Sequence, residues 1–150
     1  GKSIAELSDI SKSLNADIII QQGLLQALEE EIQRIRHTGL FELQYELTGT
    51  PVFLDAQKEL IIFRIIQEAF NNIIKHACAR LTKLVLHYNE TKMKITISDD
   101  GQGFDPEFCG SKNHAGLKNM KTRVQILKGD MHISSRPGKG TSLLFTIPFE

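Results

Sequence analysis

The sequence lacks the features of a membrane-spanning or broadly basic protein. Among 150 residues, Lys and Arg number 18 and Asp and Glu also number 18, so the formal net charge is zero. This neutrality argues against nucleic-acid binding over a broad surface, because such binding needs a basic surface that releases counterions. No apolar run approaches the ~20 residues that cross a bilayer, and no signal peptide is visible.

Cysteine is also scarce, with only Cys78 and Cys109. Neither has a second cysteine two to four residues away, which excludes the usual spacing of a structural zinc site. Two scattered thiols fit a reducing compartment, and we expect both to be free. Apolar residues make up 41% and charged residues 24%, so the chain has the composition of one globular domain.

Hydrophobic periodicity predicts a mixture of helices and strands without strict alternation, which favours an α+β fold with helices on one face of a sheet. Asp55 is a candidate N-cap for the longest helix, and Gly39 a stop for the helix before it. Asn15 to Asp17 interrupt the pattern near the start. The predicted helices cover residues 4–14, 23–36, 55–77 and 117–127, and the strands 41–47, 84–86, 93–97, 131–135 and 141–147.

The helix at 23–36 carries an apolar seam, from which Glu29 to Glu31 lie largely apart. The seam favours core packing, and a coiled-coil stub is the alternative. Its members are Leu25, Leu28, Ile32 and Ile35.

The long helix is apolar almost all round, apart from one narrow polar stripe. A solvated face with an Arg64–Glu68 ion pair is one interpretation. The other is a site for hydrated Mg²⁺ and phosphate oxygens, since Mg²⁺ takes one or two protein oxygens plus waters and phosphates. The stripe comprises Arg64, Glu68, Asn72, Lys75 and His76.

Two further segments combine glycine with polar residues. In Asp99-Asp100-Gly101-Gln102-Gly103, an apolar strand ends in two acids and two glycines. This is either an acidic turn or a site where a carboxylate accepts a hydrogen bond from an amine such as that of adenine. Gly116 stands before the predicted helix at 117–127, whose free N–H groups would attract phosphate. Gly138 to Thr141, taken alone, is a hairpin turn.

The order and spacing of these pieces resemble the four boxes of the ATPase superfamily that includes gyrase, MutL, heat-shock chaperones and histidine kinases. Residues 68–77, E-A-F-N-N-I-I-K-H-A, resemble the N box of sensor kinases, E-A-x-x-N-x-x-K-H-A. Residues 99–103 resemble the first glycine box, D-N-G-x-G, 116–120 the second, and 138–141 the third, G-x-G-T. The K-H-A ending and the short lid at 104–115 are similar to the nitrate- and lipid-desaturation-sensor subfamily, as is the linker at 14–24.

This resemblance implies a two-layer α/β sandwich with a mixed, mostly antiparallel sheet. It also implies a base site, in which Asp99 accepts the adenine amino group. Gly101 and Gly103 would line the adenine pocket, and Thr141 would join a water network beside Asp99.

For the phosphate end, the resemblance implies that Asn72 binds Mg²⁺ through its side-chain oxygen. Gly116 and the N–H groups after it, starting with Leu117, would hold phosphates, and Lys75 would offset their charge. Glu68 matches the general base of the hydrolytic relatives, although in a kinase it could instead order the Mg²⁺ shell.

The chain departs from the family pattern at three places. Asp100 replaces the usual Asn of the first glycine box, residues 113–115 lack the glycine that usually precedes Gly116, and Ala16 replaces the linker proline. No histidine lies in a helical phosphoacceptor motif. The five are His37, His76, His87, His114 and His132.

By resemblance, residues 1–22 are the end of a dimerisation helix with its linker, and 23–150 the ATP-binding catalytic domain of a bacterial histidine kinase. We expect ATP and Mg²⁺ as cofactors and a cytoplasmic location, within a homodimeric parent that a membrane could anchor. The partners would be the parent's own phosphoacceptor helices and a response regulator, but not nucleic acid, and these 150 residues would be monomeric. The alternatives are a serine kinase of the anti-sigma type and a degenerate assembly domain that binds no nucleotide.

Overall fold

The computed structural model describes residues 17–103 and 114–149. The predicted helix at 4–14, Cys109 and most of the expected lid lie outside these ranges. The helices are α1 (Leu24–Thr38), α2 (Ala56–Asn72), which continues as a π-helical turn (Ile73–Ala77), and α3 (His114–Ile126). The strands are β1 (Glu42–Thr48), β2 (Leu81–Tyr88), β3 (Lys92–Asp99), β4 (Asp130–Ser135) and β5 (Thr141–Pro148).

The five strands form one mixed sheet in the order β1-β2-β3-β5-β4. Only β1 and β2 pair in parallel, and the other three pairings are antiparallel. Alternate residues of β2, β3 and β5 are buried, whereas their neighbours on the other face are half-buried or exposed. The helices therefore cover one face of a mostly antiparallel sheet, which confirms the predicted two-layer α+β sandwich.

Local sequence explains where α1 and α2 begin and end. The Asp55 side chain accepts the Lys58 N–H at 3.0 Å and caps α2 as predicted. Gly39 ends α1 in the left-handed conformation, with φ of 68°. Before α1, residues 17–22 are helical, so the expected interruption does not extend to Asp17. Within the described residues, the helix at 17–22 is separated from α1 at Gly23, where φ is 89°.

The seam of α1 packs in the core, as expected for a helix of a globular domain. Leu28, Ile32 and Ile35 are fully buried. Glu31 was expected off the seam, but it is also buried. An ion pair with Arg34 explains this position. Glu31 also lies near Arg64 of α2: burial lowers the pKa of Arg64, and the negative charge of Glu31 raises it in part.

The long helix does not keep α-helical geometry to its end. Its α-helical part stops at Asn72, and the π-helical turn carries Lys75 and His76, both exposed. The α-helical spacing that placed these two residues on the polar stripe therefore ends before them. Short π segments are frequent at functional sites, because the extra residue changes the direction of the side chains that follow.

Across 17–103 and 114–149, no helix combines the length and hydropathy needed to span a membrane. Cys78 is an exposed free thiol. His87 and His132 lie on β2 and β4 and are exposed.

Candidate nucleotide site

Asp99 is the last residue of β3, and its carboxylate is half-buried at the end of the sheet. Its Oδ1 accepts the Gly101 N–H at 2.8 Å. Burial raises the pKa of Asp99 above its usual value, and nearby Asp100 raises it further, whereas hydrogen bonds from the backbone of Gly101 and Thr141 act in the opposite direction. A half-buried carboxylate with an oxygen available is a suitable acceptor for an amine.

Asp100 has a different role from its neighbour. Its Oδ1 accepts the N–H groups of Arg80 and Leu81 at 2.8 and 2.9 Å, at the start of β2. These hydrogen bonds lower the pKa of Asp100, and the residue is fully exposed. The acid that departs from the family pattern thus fastens the start of one strand to the end of the next.

The first and third glycine boxes are in direct contact. Thr141 pairs in register with Asp99. Gly103 and Gly140 have φ of 63° and 75°. A Cβ on Gly103 would overlap the carbonyl oxygens of Arg136 and Gly140, and a Cβ on Gly140 would overlap the Asp99 carbonyl oxygen. Only glycine permits this approach, so the two segments form one tight wall beside Asp99. The hairpin turn that the sequence predicts around Gly138 to Thr141 is present at residues 136–140, and Thr141 is the first residue of β5.

Two residues of this region were missed by the sequence analysis. Gln102 donates its side-chain amide to the His76 carbonyl at 2.7 Å, which ties the first glycine box to the end of the long helix. Ser135 is paired in register with Thr141, and their hydroxyls are 2.8 Å apart. Gln102 occupies the x position of the D-N-G-x-G pattern, where any residue is allowed, so the sequence gives no signal for it. Ser135 is brought beside Thr141 only by the pairing of β4 with β5.

The N box meets the second glycine box where α2 passes the first turn of α3. A Cβ on Gly116 would overlap Glu68 Oε1 and would lie 3.0 Å from Asn72 Oδ1. Glu68 and Asn72 are half-buried, and within the described residues neither side chain makes a hydrogen bond or ion pair. A carboxylate and an amide with open hydrogen-bonding capacity therefore face the start of a helix.

The helix start differs from the expectation. Because α3 begins at His114, Gly116 lies inside its first turn rather than before it. The N–H groups of the first three residues of a helix lack intrahelical acceptors, so that of Gly116 belongs to the anion-attracting end, and Leu117 stands at its boundary. The Leu117 side chain packs against the core, which leaves only its backbone for a ligand.

Together, the fold and the site define a class of ATP-binding domain. Residues 57–150 match the family model described as histidine kinase-, DNA gyrase B- and HSP90-like ATPase. The chain belongs to this family.

Curated relatives are sensor kinases. The chain is 32% identical over 147 residues to the histidine-protein kinase/phosphatase DegS of Brevibacillus brevis, covering 97% of this chain and 38% of the relative. It is 27% identical over 128 residues to the nitrate/nitrite sensor protein NarX of Escherichia coli, covering 85% of this chain and 21% of the relative. The chain thus spans less than half the length of these relatives.

Solved structures share the fold. A blue-light activated histidine kinase of Erythrobacter litoralis EL346 matches with a TM-score of 0.76 at 18% identity, covering 97% of this chain and 50% of that one. The histidine kinase AdeS of Acinetobacter baumannii matches with a TM-score of 0.68 at 17% identity, covering 98% of this chain and 80% of that one.

Proposed function

We propose that this domain binds Mg·ATP and, within its full-length protein, supplies the γ-phosphate for autophosphorylation of a histidine. The observation that carries the proposal is the meeting of Glu68, Asn72 and the first turn of α3. This arrangement puts oxygen ligands opposite the N–H groups of a helix start, an arrangement suited to a metal-bound triphosphate.

At the phosphate end, Asn72 Oδ1 would be the protein ligand of Mg²⁺, and Glu68 would order the Mg²⁺ shell or act as a base. Bound Mg²⁺ would neutralise charge on the phosphates. Within the described residues there is no cluster of three His, Cys, Asp or Glu side chains that could form an all-protein metal site. A single amide oxygen nevertheless fits Mg²⁺, which completes its shell with waters and phosphates. Lys75, exposed one turn further on, would offset phosphate charge.

At the base end, Asp99 would accept the adenine amino group, with Gly101 and Gly103 along the pocket and Thr141 in the water network. The domain would act mainly by positioning and charge neutralisation. The phosphoacceptor histidine would lie on dimerisation helices outside residues 23–150, and a response regulator would then take the phosphoryl group onto an aspartate.

Isothermal titration calorimetry with Mg·ADP tests the site. We expect saturable binding, and a loss of roughly 10- to 100-fold for Asp99→Asn, because a hydrogen bond to a charged group contributes about 1.5–3 kcal/mol. Asn72→Ala should weaken Mg·ADP and reduce the difference between ADP with and without Mg²⁺. Asp130→Asn and Gln125→Ala, at exposed positions outside the four boxes, are the matched controls and should bind as the parent does.

Failure of the folded parent chain to bind millimolar nucleotide would overturn the proposal and favour the degenerate assembly domain. The kinase step is tested with the full-length protein and γ-labelled ATP. Label that is lost in acid and kept in base indicates phosphohistidine, whereas acid-stable label would favour the serine-kinase alternative. Residues 1–150 alone should bind nucleotide without labelling themselves.

A further inference from the structure

Thr82 carries a buried hydroxyl that the fold does not use. The residue lies on β2 and is 0% exposed. Within 17–103 and 114–149, its Oγ1 is the one buried side-chain nitrogen or oxygen of a non-exposed residue that lacks a hydrogen-bond partner. Buried polar groups in folded proteins are almost always hydrogen-bonded, so this exception requires an explanation.

Packing alone does not explain a threonine here. Valine has nearly the same shape and favours strands equally, and it would avoid the cost of burying an unpaired hydroxyl. The hydroxyl therefore has a physical reason if it serves a neighbouring polar group of the candidate site rather than the packing of the core.

The sheet register identifies the neighbouring polar group. Thr82 is flanked by Leu43 on β1 and by Asp99 on β3. The Asp100 N–H donates to the Leu81 carbonyl, so Leu81 and Asp100 are a hydrogen-bonded pair and Thr82 and Asp99 form the adjacent non-hydrogen-bonded pair. In such pairs the two side chains lie on the same face, with Cβ atoms roughly 4.5–5.5 Å apart.

The same register continues on the far side of Asp99. Thr141 stands opposite Asp99 on β5, and Ser135 stands opposite Thr141 on β4. One row across the sheet thus presents Thr82, Asp99, Thr141 and Ser135 towards the helices. The hydroxyls of Thr141 and Ser135 already contact each other, whereas that of Thr82 is still available.

We propose that Thr82 is a positioning residue of the base site, whose hydroxyl donates through one buried water to the Asp99 carboxylate and keeps it ionised and directed at the adenine amino group. Thr82 would act on Asp99 from the β2 side, and Thr141 from the β5 side. Side chains whose Cβ atoms are roughly 4.5–5.5 Å apart are within reach of one shared water, and the Thr82 hydroxyl and the Asp99 carboxylate are two of the two to four polar partners that such a water needs. This inference rests on the proposed adenine site.

The test is ADP affinity of Thr82→Val as a function of pH, measured by calorimetry in the presence of Mg²⁺. Thr96→Val is the matched control, because Thr96 is on the same strand as Asp99 but on the opposite face of the sheet. At neutral pH we expect Thr82→Val to bind ADP about fivefold more weakly, the effect of one lost hydrogen bond. The control should bind as the parent does.

The pH profile separates this role from simple packing. Affinity should fall as Asp99 takes up a proton, because a protonated carboxyl is a poorer acceptor. Removing a hydrogen bond to the carboxylate raises its pKa further. The acid-side loss of affinity should therefore begin at a higher pH in Thr82→Val than in the parent or in Thr96→Val.

Unchanged affinity and an unchanged pH profile in a folded Thr82→Val protein would overturn the inference while leaving the nucleotide site intact. A lower melting temperature of the nucleotide-free variant with unchanged ADP affinity would also overturn it, since the hydroxyl would then serve the fold alone. Absence of ADP binding by the parent would instead overturn the proposed function, and this inference with it.

Discussion

The two ends of the candidate site are built differently. At the base end, Asp99 and Thr141 are held by strand register, and the Asp99 carboxylate is fixed by the Gly101 N–H. At the phosphate end, Glu68 and Asn72 sit where two helices pass, and neither side chain has a partner within the described part of the chain.

This difference shows how one domain can hold one end of a ligand site rigid and keep polar groups available for a ligand at the other end. Backbone pairing in a sheet fixes the positions of Asp99 and Thr141, so we expect the base end to change little when a ligand binds. The polar groups at the helix crossing have hydrogen-bonding capacity to offer to a metal ion, water or phosphate. We therefore expect changes at the base end to disturb the fold most strongly, and changes at the phosphate end to disturb binding with little effect on folding.

The largest effect is expected where the two glycine boxes touch. Gly140→Ala would place a methyl group against the Asp99 carbonyl and would also force a left-handed backbone on alanine. We expect it to lower the free energy of unfolding by about 3 kcal/mol or more, the sum of backbone strain and overpacking. Urea unfolding measures this loss.

Gly138→Ala is the matched control for this prediction. Its φ is 78°, but an added Cβ would meet nothing within 4 Å. We therefore expect only the conformational cost, about 1–2 kcal/mol. Equal losses for the two variants would mean that the close contact between the boxes does not contribute to stability.

A smaller effect is expected at the helix crossing. Gly116→Ala places a methyl group against Glu68 and Asn72, so we expect it to weaken ATP about tenfold, the equivalent of one charged hydrogen bond. Adenosine, which lacks phosphates, should bind nearly as before. Calorimetry with ATP and with adenosine measures how much affinity each ligand loses.

The fold should tolerate Gly116→Ala, because φ is not in the left-handed range and alanine is the better helix former. Gln125→Ala, exposed on the same helix and outside the second glycine box, is the control for helix propensity alone. Equal weakening of ATP and adenosine by Gly116→Ala would contradict the assignment of this region to the phosphates.

The smallest effect should distinguish two adjacent carboxylates by the sign of their contribution to stability. Because the pKa of Asp99 is raised in the folded protein, protonation of this carboxyl favours the folded state. Its contribution to the free energy of unfolding is complete below the pKa of the unfolded chain and is lost as the pH rises through the pKa of the folded protein. Because the pKa of Asp100 is lowered in the folded protein, ionisation of this carboxyl favours the folded state. Its contribution to the free energy of unfolding is present above the pKa of the unfolded chain and is lost as the pH falls through the pKa of the folded protein.

Asp99→Asn should therefore be more stable than the parent at neutral pH, and Asp100→Asn less stable. Both differences should shrink in acid, where both carboxylates are protonated in the parent. Urea midpoints at neutral and acidic pH give the comparison. The same sign for both variants would mean that the two acids share one role, and that Asp99 is not kept at a cost to stability.

Much of this site followed from local pattern. The Asp55 cap, the Gly39 stop and the period-two strands depend on neighbouring residues, so the sequence predicts them well. The start of α3 was missed by three residues, because Gly116 reads as a helix breaker and yet lies inside the first turn. Close packing against Glu68 and Asn72, rather than helix propensity, explains a glycine there.

Side-chain environment was the least predictable feature. Glu31 falls among acidic residues in the sequence, yet it is buried near two guanidinium groups from different parts of the chain. Asp100 appears in the sequence as a second acid at the ligand, yet its carboxylate serves the backbone of Arg80 and Leu81. Arg34 lies only three residues from Glu31, but the approach of Arg64 to Glu31 and the contact of Asp100 with the start of β2 join distant positions that no local spacing encodes.

By itself, the sequence determined the kinds of element, their approximate ends and the polar residues that mark the four boxes, because periodicity and capping act over a few residues. Only the tertiary structure decided that β1 pairs in parallel with β2, that Gly116 meets Asn72, and that Thr82 stands beside Asp99. These relations join residues from about 15 to more than 40 positions apart, and they are set by how the sheet and helices pack as a whole.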